Sequence, residues 1–257
     1  HLNQGFNLKH SRHIRIFWPM YFKKPLISSD KQDIFHLAPV PVYMKVFDDH
    51  DIHDRVYDLG KKVLSDKQKL MGQELPNQYD TDRQKWYDYP DDYTDQWVEY
   101  DEQIPIGSRF FSPPNDFLDT DDDYVAIIRD RIDIGFRYLC NSIGNKVKKS
   151  KVTESWMQYY DPFSGRGHNQ HNHCRWQREE GGINTQMFSG GYYLSDGEPI
   201  KDHPYSGVFA FHLRGQQYMI RPKKGMLIIW PYDIVHSVKA FYGKVERCVI
   251  NFNIQDV

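Results

Sequence analysis

Cysteine is scarce in this chain: Cys140, Cys174 and Cys248 are the only three in 257 residues. An odd number at scattered positions supports no disulfide framework and favours a reducing compartment. Long apolar runs are missing too, since nowhere do roughly 18 uninterrupted apolar residues occur, the length a membrane-spanning helix requires. No basic-then-apolar leader opens the sequence, so a soluble, cytoplasmic protein with no membrane partner is the expectation. Nor is there a surplus of positive charge. A formal net charge of −2 provides no general attraction to phosphates. The short basic pieces NKVKKSKV (145–152) and RPKK (221–224) read as solvated turns, which leaves nucleic acid unsupported as a partner. No internal repeat is visible.

What is present is a chain of two textures. Charged residues make up 26% and aromatics 15%, a globular composition unusually rich in rings. Residues 1–150 read as a helical and extended supporting region, and 151–257 as a β-rich core, together one structural domain. In the first part, VPVYMKVF (40–47) predicts a strand. It runs into a helix that Asp51 is placed to cap, with Ile52, Val56, Leu59, Val63 and Leu64 on one stripe. A second helix is predicted over 121–144. Its acidic residues lead, Val125, Ile128, Ile132, Phe136 and Leu139 recur at helical spacing, and Gly144 closes it. Between the helices, the segment 78–102 carries nine acidic side chains, two basic ones and seven aromatics. It reads as a surface excursion pinned by its rings, or as a lid over an active site.

From residue 152 onward, seven short β-rich runs alternate with turn-forming pieces such as SDGEP, RPKKG and FYGK. Seven strands without intervening helices predict a double-sheet jelly roll, mainly β with flanking helices.

Against that background one decapeptide stands out. GRGHNQHNHC (165–174) holds His168, His171 and His173. Side chains two apart on a strand share a face, so His171 and His173 form a clip for one ion. Neutral imidazoles suit zinc, copper, nickel and iron. A third donor is available in His236, in the apolar run WPYDIVHSV. A lone histidine on such a strand is more often satisfied within the core, but beside a His-x-His pair the balance reverses. His168 lies an odd number of residues from both clip histidines. An extended chain turns it to the other face, as a loop residue near the mouth that contacts substrate or supports the ligands. Arg247 lies on the strand after His236, and pairing through AFYGK would draw the two side chains together. A buried guanidinium requires an anion, and its planar fork matches a carboxylate of a dicarboxylic co-substrate or one of the protein's own.

With these residues in order, the stretch 152–254 resembles the iron(II)- and 2-oxoglutarate-dependent dioxygenases. The resemblance is to the bacterial and viral members with a His-x-His pair, on the prolyl-hydroxylase-like branch. The ordered elements are WMQYYDP, HNH, SGGYYL, GMLIIWP, His236 and Arg247. The resemblance implies a double-stranded β-helix core and hydroxylation of a peptide or small molecule, with Fe(II), 2-oxoglutarate and O2 required and succinate and CO2 released. It implies His171, His173 and His236 as iron ligands, Arg247 as partner of the far carboxylate of 2-oxoglutarate, and Tyr160 and Tyr193 as hydroxyls on that co-substrate. No catalytic residue separate from these is implied.

The departure is His173, which stands where the family's usual triad has a carboxylate. It leaves a three-histidine iron site, a carboxylate arriving from elsewhere, or a site that has lost activity; the His-x-His pattern of the subfamily favours the first. The runner-up is a cupin-type metalloenzyme without 2-oxoglutarate, in which a glycine precedes the pair by six residues and Glu179 stands near a ligand position. In that reading Glu179 is one residue late, Asp233 replaces a glycine, and Arg247 has no role. A non-catalytic jelly-roll binding module is the third reading.

Overall fold

The computed structural model of the protein describes residues 26–27, 33–37, 40–70, 108–111, 117–162, 166–173 and 187–257. The acidic aromatic segment 78–102, Cys174 and Glu179 lie outside the described residues.

Twelve strands and two long helices are described. Strands β1 (Leu26–Ile27), β2 (Asp33–Leu37) and β3 (Val40–Val46) come first, then helix α1 (His50–Leu70), strand β4 (Ser108–Phe111) and helix α2 (Asp123–Ser142). Eight strands follow: β5 (Ser150–Tyr160), β6 (Arg166–His171), β7 (Met187–Asp196), β8 (Phe209–Leu213), β9 (Gln216–Ile220), β10 (Met226–Pro231), β11 (His236–Phe241) and β12 (Arg247–Asp256).

These eight strands are a jelly roll, and their connectivity shows it. One sheet runs β1-β9-β8-β11-β6 and the other β2-β3-β10-β7-β12-β5-β4. From β5 on, neighbours within each sheet are antiparallel and successive strands cross between sheets or hairpin back, the double-stranded β-helix arrangement. Strands β2, β3 and β4 of the N-terminal half extend the larger sheet, pairing through β3 to β10 and through β4 to β5.

Period-two alternation sorts the side chains of the larger sheet. On β12, Cys248, Ile250, Phe252 and Ile254 face the helices, and the same cluster takes in Val125, Ile128, Ile132, Phe136 and Leu139 of α2 and Val56 of α1. Val249 and, on β10, Met226, Ile228 and Trp230 face the other sheet. The stripe predicted for α2, and Ile52, Val56, Leu59 and Val63 of that predicted for α1, are thus the faces that dock; the side chain of Leu64 lies outside the described residues.

Helix α2 is capped by Asp122, whose Oδ1 accepts from the backbone N–H groups of Tyr124 and Val125. It ends at Gly144 in the left-handed region (φ 88°), a conformation in which glycine has no Cβ to clash. The predicted cap of α1 is different: Asp51 lies inside the first turn, because the helix begins at His50. Helix α1 lies so close to β5 that a Cβ on Gly60 would sit 2.2 Å from Met157 Sδ. Among the described residues, no helix is long and apolar enough to cross a membrane.

Candidate metal centre

Three imidazoles meet between the sheets. His171 ends β6, His236 opens β11, and the two are register partners across the ladder. His173 lies two residues beyond the end of β6, tied down by its backbone N–H, which donates to the Tyr232 carbonyl at 2.9 Å. The ligand-capable atoms of His171, His173 and His236 all lie within 4.8 Å of one another. Ring centroids are 4.2 Å apart for His171 and His236 and 5.2 Å for His173 and His236.

His168, expected on the opposite face, is in fact beside them, its ring 4.1 Å from that of His171. The reason is a β-bulge. His171 pairs with His236 and His168 with Val238, so three residues of β6 are spanned by two of β11. The extra residue reverses the parity on which the expectation rested. Gly167 permits the bulge, because a Cβ there would meet the Val238 carbonyl at 2.2 Å.

Arg247 also arrives by a route other than the expected one. Strands β11 and β12 belong to different sheets, so AFYGK is a crossover and not a hairpin. His236 and Arg247 face each other across the sandwich, lining one cavity of about 450 Å3, its mouth included. Arg247 is only 1% exposed. The centre of its guanidinium lies 4.9 Å from the Tyr160 ring and 5.2 Å from the Tyr193 ring, and among the described residues it has no carboxylate partner, the Tyr193 hydroxyl being its polar neighbour.

The protonation states follow from burial. His173 is pushed down to about 3 by burial, with His171 adding to the shift. Burial and the neighbouring imidazoles hold His236 well below its ordinary value. Near neutral pH these rings are uncharged, the form that ligates metals. His236 Nδ1 lies 2.9 Å from the Ile234 carbonyl. That oxygen can only accept, so Nδ1 carries the proton and Nε2 keeps its lone pair. Burial raises the Tyr160 and Tyr193 hydroxyls, opposed by the adjacent Arg247 charge. They stay protonated and able to donate.

The walls are aromatic. Trp156 stacks on His173 with ring planes 26° apart, and Phe209 stacks on His236 at 27°. Trp230 packs edge-on to His236 at 4.9 Å.

Polar residues that sequence reasoning passed over also face inward. Glu154, Gln158, Asn251 and Asn253 share the face of Tyr160 and Arg247, since Arg247 pairs with Tyr160, Val249 with Gln158, Asn251 with Trp156 and Asn253 with Glu154. Their signal was the two-residue period of polar positions in ESWMQYY and RCVINFNI.

The donor set fits a first-row divalent ion, which three clustered imidazoles suit. The orphaned buried guanidinium fits a carboxylate at the other end of the cavity.

No protein-family model matches the chain, and no curated protein matches it by sequence. Among solved structures, it is similar to a Pseudomonas putida prolyl-4-hydroxylase (15% identity, TM-score 0.40), covering 58% of this chain and 70% of that one. It is similar to the viral collagen prolyl hydroxylase of Paramecium Bursaria Chlorella virus-1, solved with 2OG (16%, TM-score 0.37; 58% and 78% covered). It is also similar to EctD of S. alaskensis (15%, TM-score 0.43), spanning 59% of that chain and 60% of its own length. At this level of likeness, chemistry has to be argued from the side chains themselves.

Proposed function

We propose that the protein is a non-haem iron(II)- and 2-oxoglutarate-dependent oxygenase that hydroxylates a small molecule or peptide. The observation that carries the proposal is Arg247, a buried cation with no carboxylate partner among the described residues, lining the same cavity as three clustered histidines. Leaving a charge buried and unpaired is costly. A site that keeps one is built for a ligand that supplies the counter-charge, and a dicarboxylate reaching a metal at its other end does so.

In this reading His171, His173 and His236 hold the iron, and Arg247 holds the far carboxylate of 2-oxoglutarate. When bound, iron and 2-oxoglutarate supply the activation of O2 that oxidises a C–H bond of the substrate, with release of succinate and CO2. The chain's own part is orientation and exclusion of water. The Tyr160 and Tyr193 rings hold the guanidinium from two sides, and their hydroxyls are placed to donate to the co-substrate. Trp156, Phe209 and Trp230 wall the imidazoles, which keeps the site dry and strengthens each polar contact in it. His168, partly buried beside His171, is placed to meet the substrate. The free, buried Cys140 and Cys248 suit a reducing, cytoplasmic setting.

A cupin-type enzyme would make no use of Arg247, and a non-catalytic module would use neither Arg247 nor the histidines. Anaerobic titration of metal-free protein with ferrous iron and then 2-oxoglutarate separates the three. A visible charge-transfer band in wild type that is lost in His173→Ala is expected. Metal binding without the band points to the cupin-type reading, and no metal binding points to a non-catalytic module.

A further inference from the structure

Among the described residues, one arginine or lysine side chain is buried, Arg247, and one aspartate or glutamate, Glu154. They sit on adjacent strands and face the same interior, yet they do not pair with each other. Arg247 is opposite Tyr160 at one end of β5, and Glu154 is opposite Asn253 six residues away. Six residues of strand span about 20 Å. The two buried charges therefore bracket the cavity, the cation at the end assigned to an anionic ligand and the anion at the histidine end.

Glu154 is connected to that end. Its Oε2 accepts from Asn253 Nδ2 at 2.6 Å. A carboxylate next to an amide fixes which way the amide points, so the Asn253 Oδ1 faces away from Glu154. That oxygen accepts from Ser189 Oγ at 2.8 Å and lies 2.8 Å from His173 Nδ1. An amide oxygen cannot donate, so His173 Nδ1 carries the proton and its Nε2 is left with a lone pair. The chain Glu154, Asn253, His173 thereby sets the tautomer and the ring orientation of the histidine that stands where a carboxylate ligand is usual.

Charge counting gives the chain a second task. Three neutral imidazoles leave a divalent cation with its full charge, and Arg247 adds one more. A dicarboxylate cancels two of these three, leaving one positive charge among apolar walls, where an uncompensated charge is costly. Glu154 supplies the missing negative charge.

We infer that Glu154 and Asn253 are positioning residues that retain the metal, Glu154 replacing from outside the ligand set the charge that His173 does not bring. This rests on reading the three histidines as a metal centre.

The test uses cobalt(II) as the probe, titrated into metal-free protein with its visible absorption as readout, beside thermal melts of the same metal-free samples. Glu154→Gln should weaken cobalt binding by about 10- to 100-fold while leaving the metal-free melting temperature unchanged or higher, since it neutralises a buried charge. Glu154→Gln combined with Asn253→Asp moves the carboxylate onto His173 and keeps a donor behind it, and should restore cobalt affinity. Unaltered cobalt affinity in Glu154→Gln, with wild type binding normally, overturns this inference and leaves the metal centre standing. A lower metal-free melting temperature with no rescue in the double variant also overturns it, as that is a structural role. If wild type binds no cobalt, the metal centre and the inference fall together.

Discussion

A single residue, Arg247, separates binding from stability in this protein. Its guanidinium is out of water with no carboxylate partner among the described residues, so in the ligand-free protein it is a cost that Tyr160 and Tyr193 beside it offset in part. Two outcomes are expected. Arg247→Ala should abolish saturable 2-oxoglutarate binding in calorimetry while metal affinity stays close to wild type; retained co-substrate affinity would remove Arg247 from the site. Arg247→Met, which keeps an unbranched chain and removes the charge, should raise the ligand-free melting temperature, in the direction of the gain of about 1 to 4 kcal/mol seen when buried ion pairs give way to apolar residues. A fall of similar size would mean that the ring contacts outweigh the burial penalty. Arg247 and the histidines could be picked out in the sequence because charged or imidazole side chains in apolar strands require a reason. Glu154 and Asn253 showed only as polar positions at a two-residue period, because their meaning lies in facing each other, which the register decides.

At the scale of elements, the ladder between β6 and β11 is the feature on which the metal centre depends. Its bulge sets His168 and His171 on one face, and the bulge depends on Gly167, where a side chain would run into the Val238 carbonyl. Gly167→Ala should destabilise the protein by about 1 to 3 kcal/mol, the usual cost of forcing an extra methyl into filled space. It should also weaken cobalt binding, because the backbone that must move carries His168 and leads to His171. Wild-type cobalt affinity in this variant would show that the histidine cluster tolerates a change of register. Strand positions from 152 onward followed from alternation and turn residues, and the helical stripes of α1 and α2 from their spacing. The sequence reading left β6 out of its seven β-rich runs, although it set the His-x-His pair on a strand, and it erred on the face of His168 and on the pairing of β11 with β12. A bulge and a sheet crossover leave almost no local trace, since each is defined by the partner strand.

Across the whole molecule, burial of neutral histidines couples stability to pH. His53 of α1 lies against the helix-facing side of the larger sheet, its Nε2 2.9 Å from Tyr192 Oη, and Arg131 Nη1 donates to the same Tyr192 oxygen at 2.8 Å. Burial pushes His53 down to about 4. Between pH 6.5 and 4 the unfolded chain takes up a proton at this site that the folded chain refuses, so folding stability falls as pH drops through that window. His173 and His236 act in the same direction in the metal-free protein. The metal-free melting temperature should therefore decline from pH 6.5 to 4, and His53→Gln should decline less. Added cobalt should raise the melting temperature most near neutral pH and progressively less in acid, because protons compete for the same nitrogens. Circular dichroism melts across this range would show it; a flat profile would mean that these histidines titrate alike in both states.

The amino-acid sequence by itself determined where the two helices and most of the later strands form, which faces are apolar, and that a His-x-His pair, a distal histidine and an arginine in apolar strands each require a reason. These are local properties, set by alternation, helical spacing and the cost of burying particular groups. Only the tertiary structure decided that His168 joins the cluster, that Arg247 reaches the cavity from the opposite sheet, and that Glu154 stands behind His173 through Asn253. Each of those depends on strand register and on which sheet a strand enters, and both are settled by long-range pairing that no short stretch of residues encodes alone.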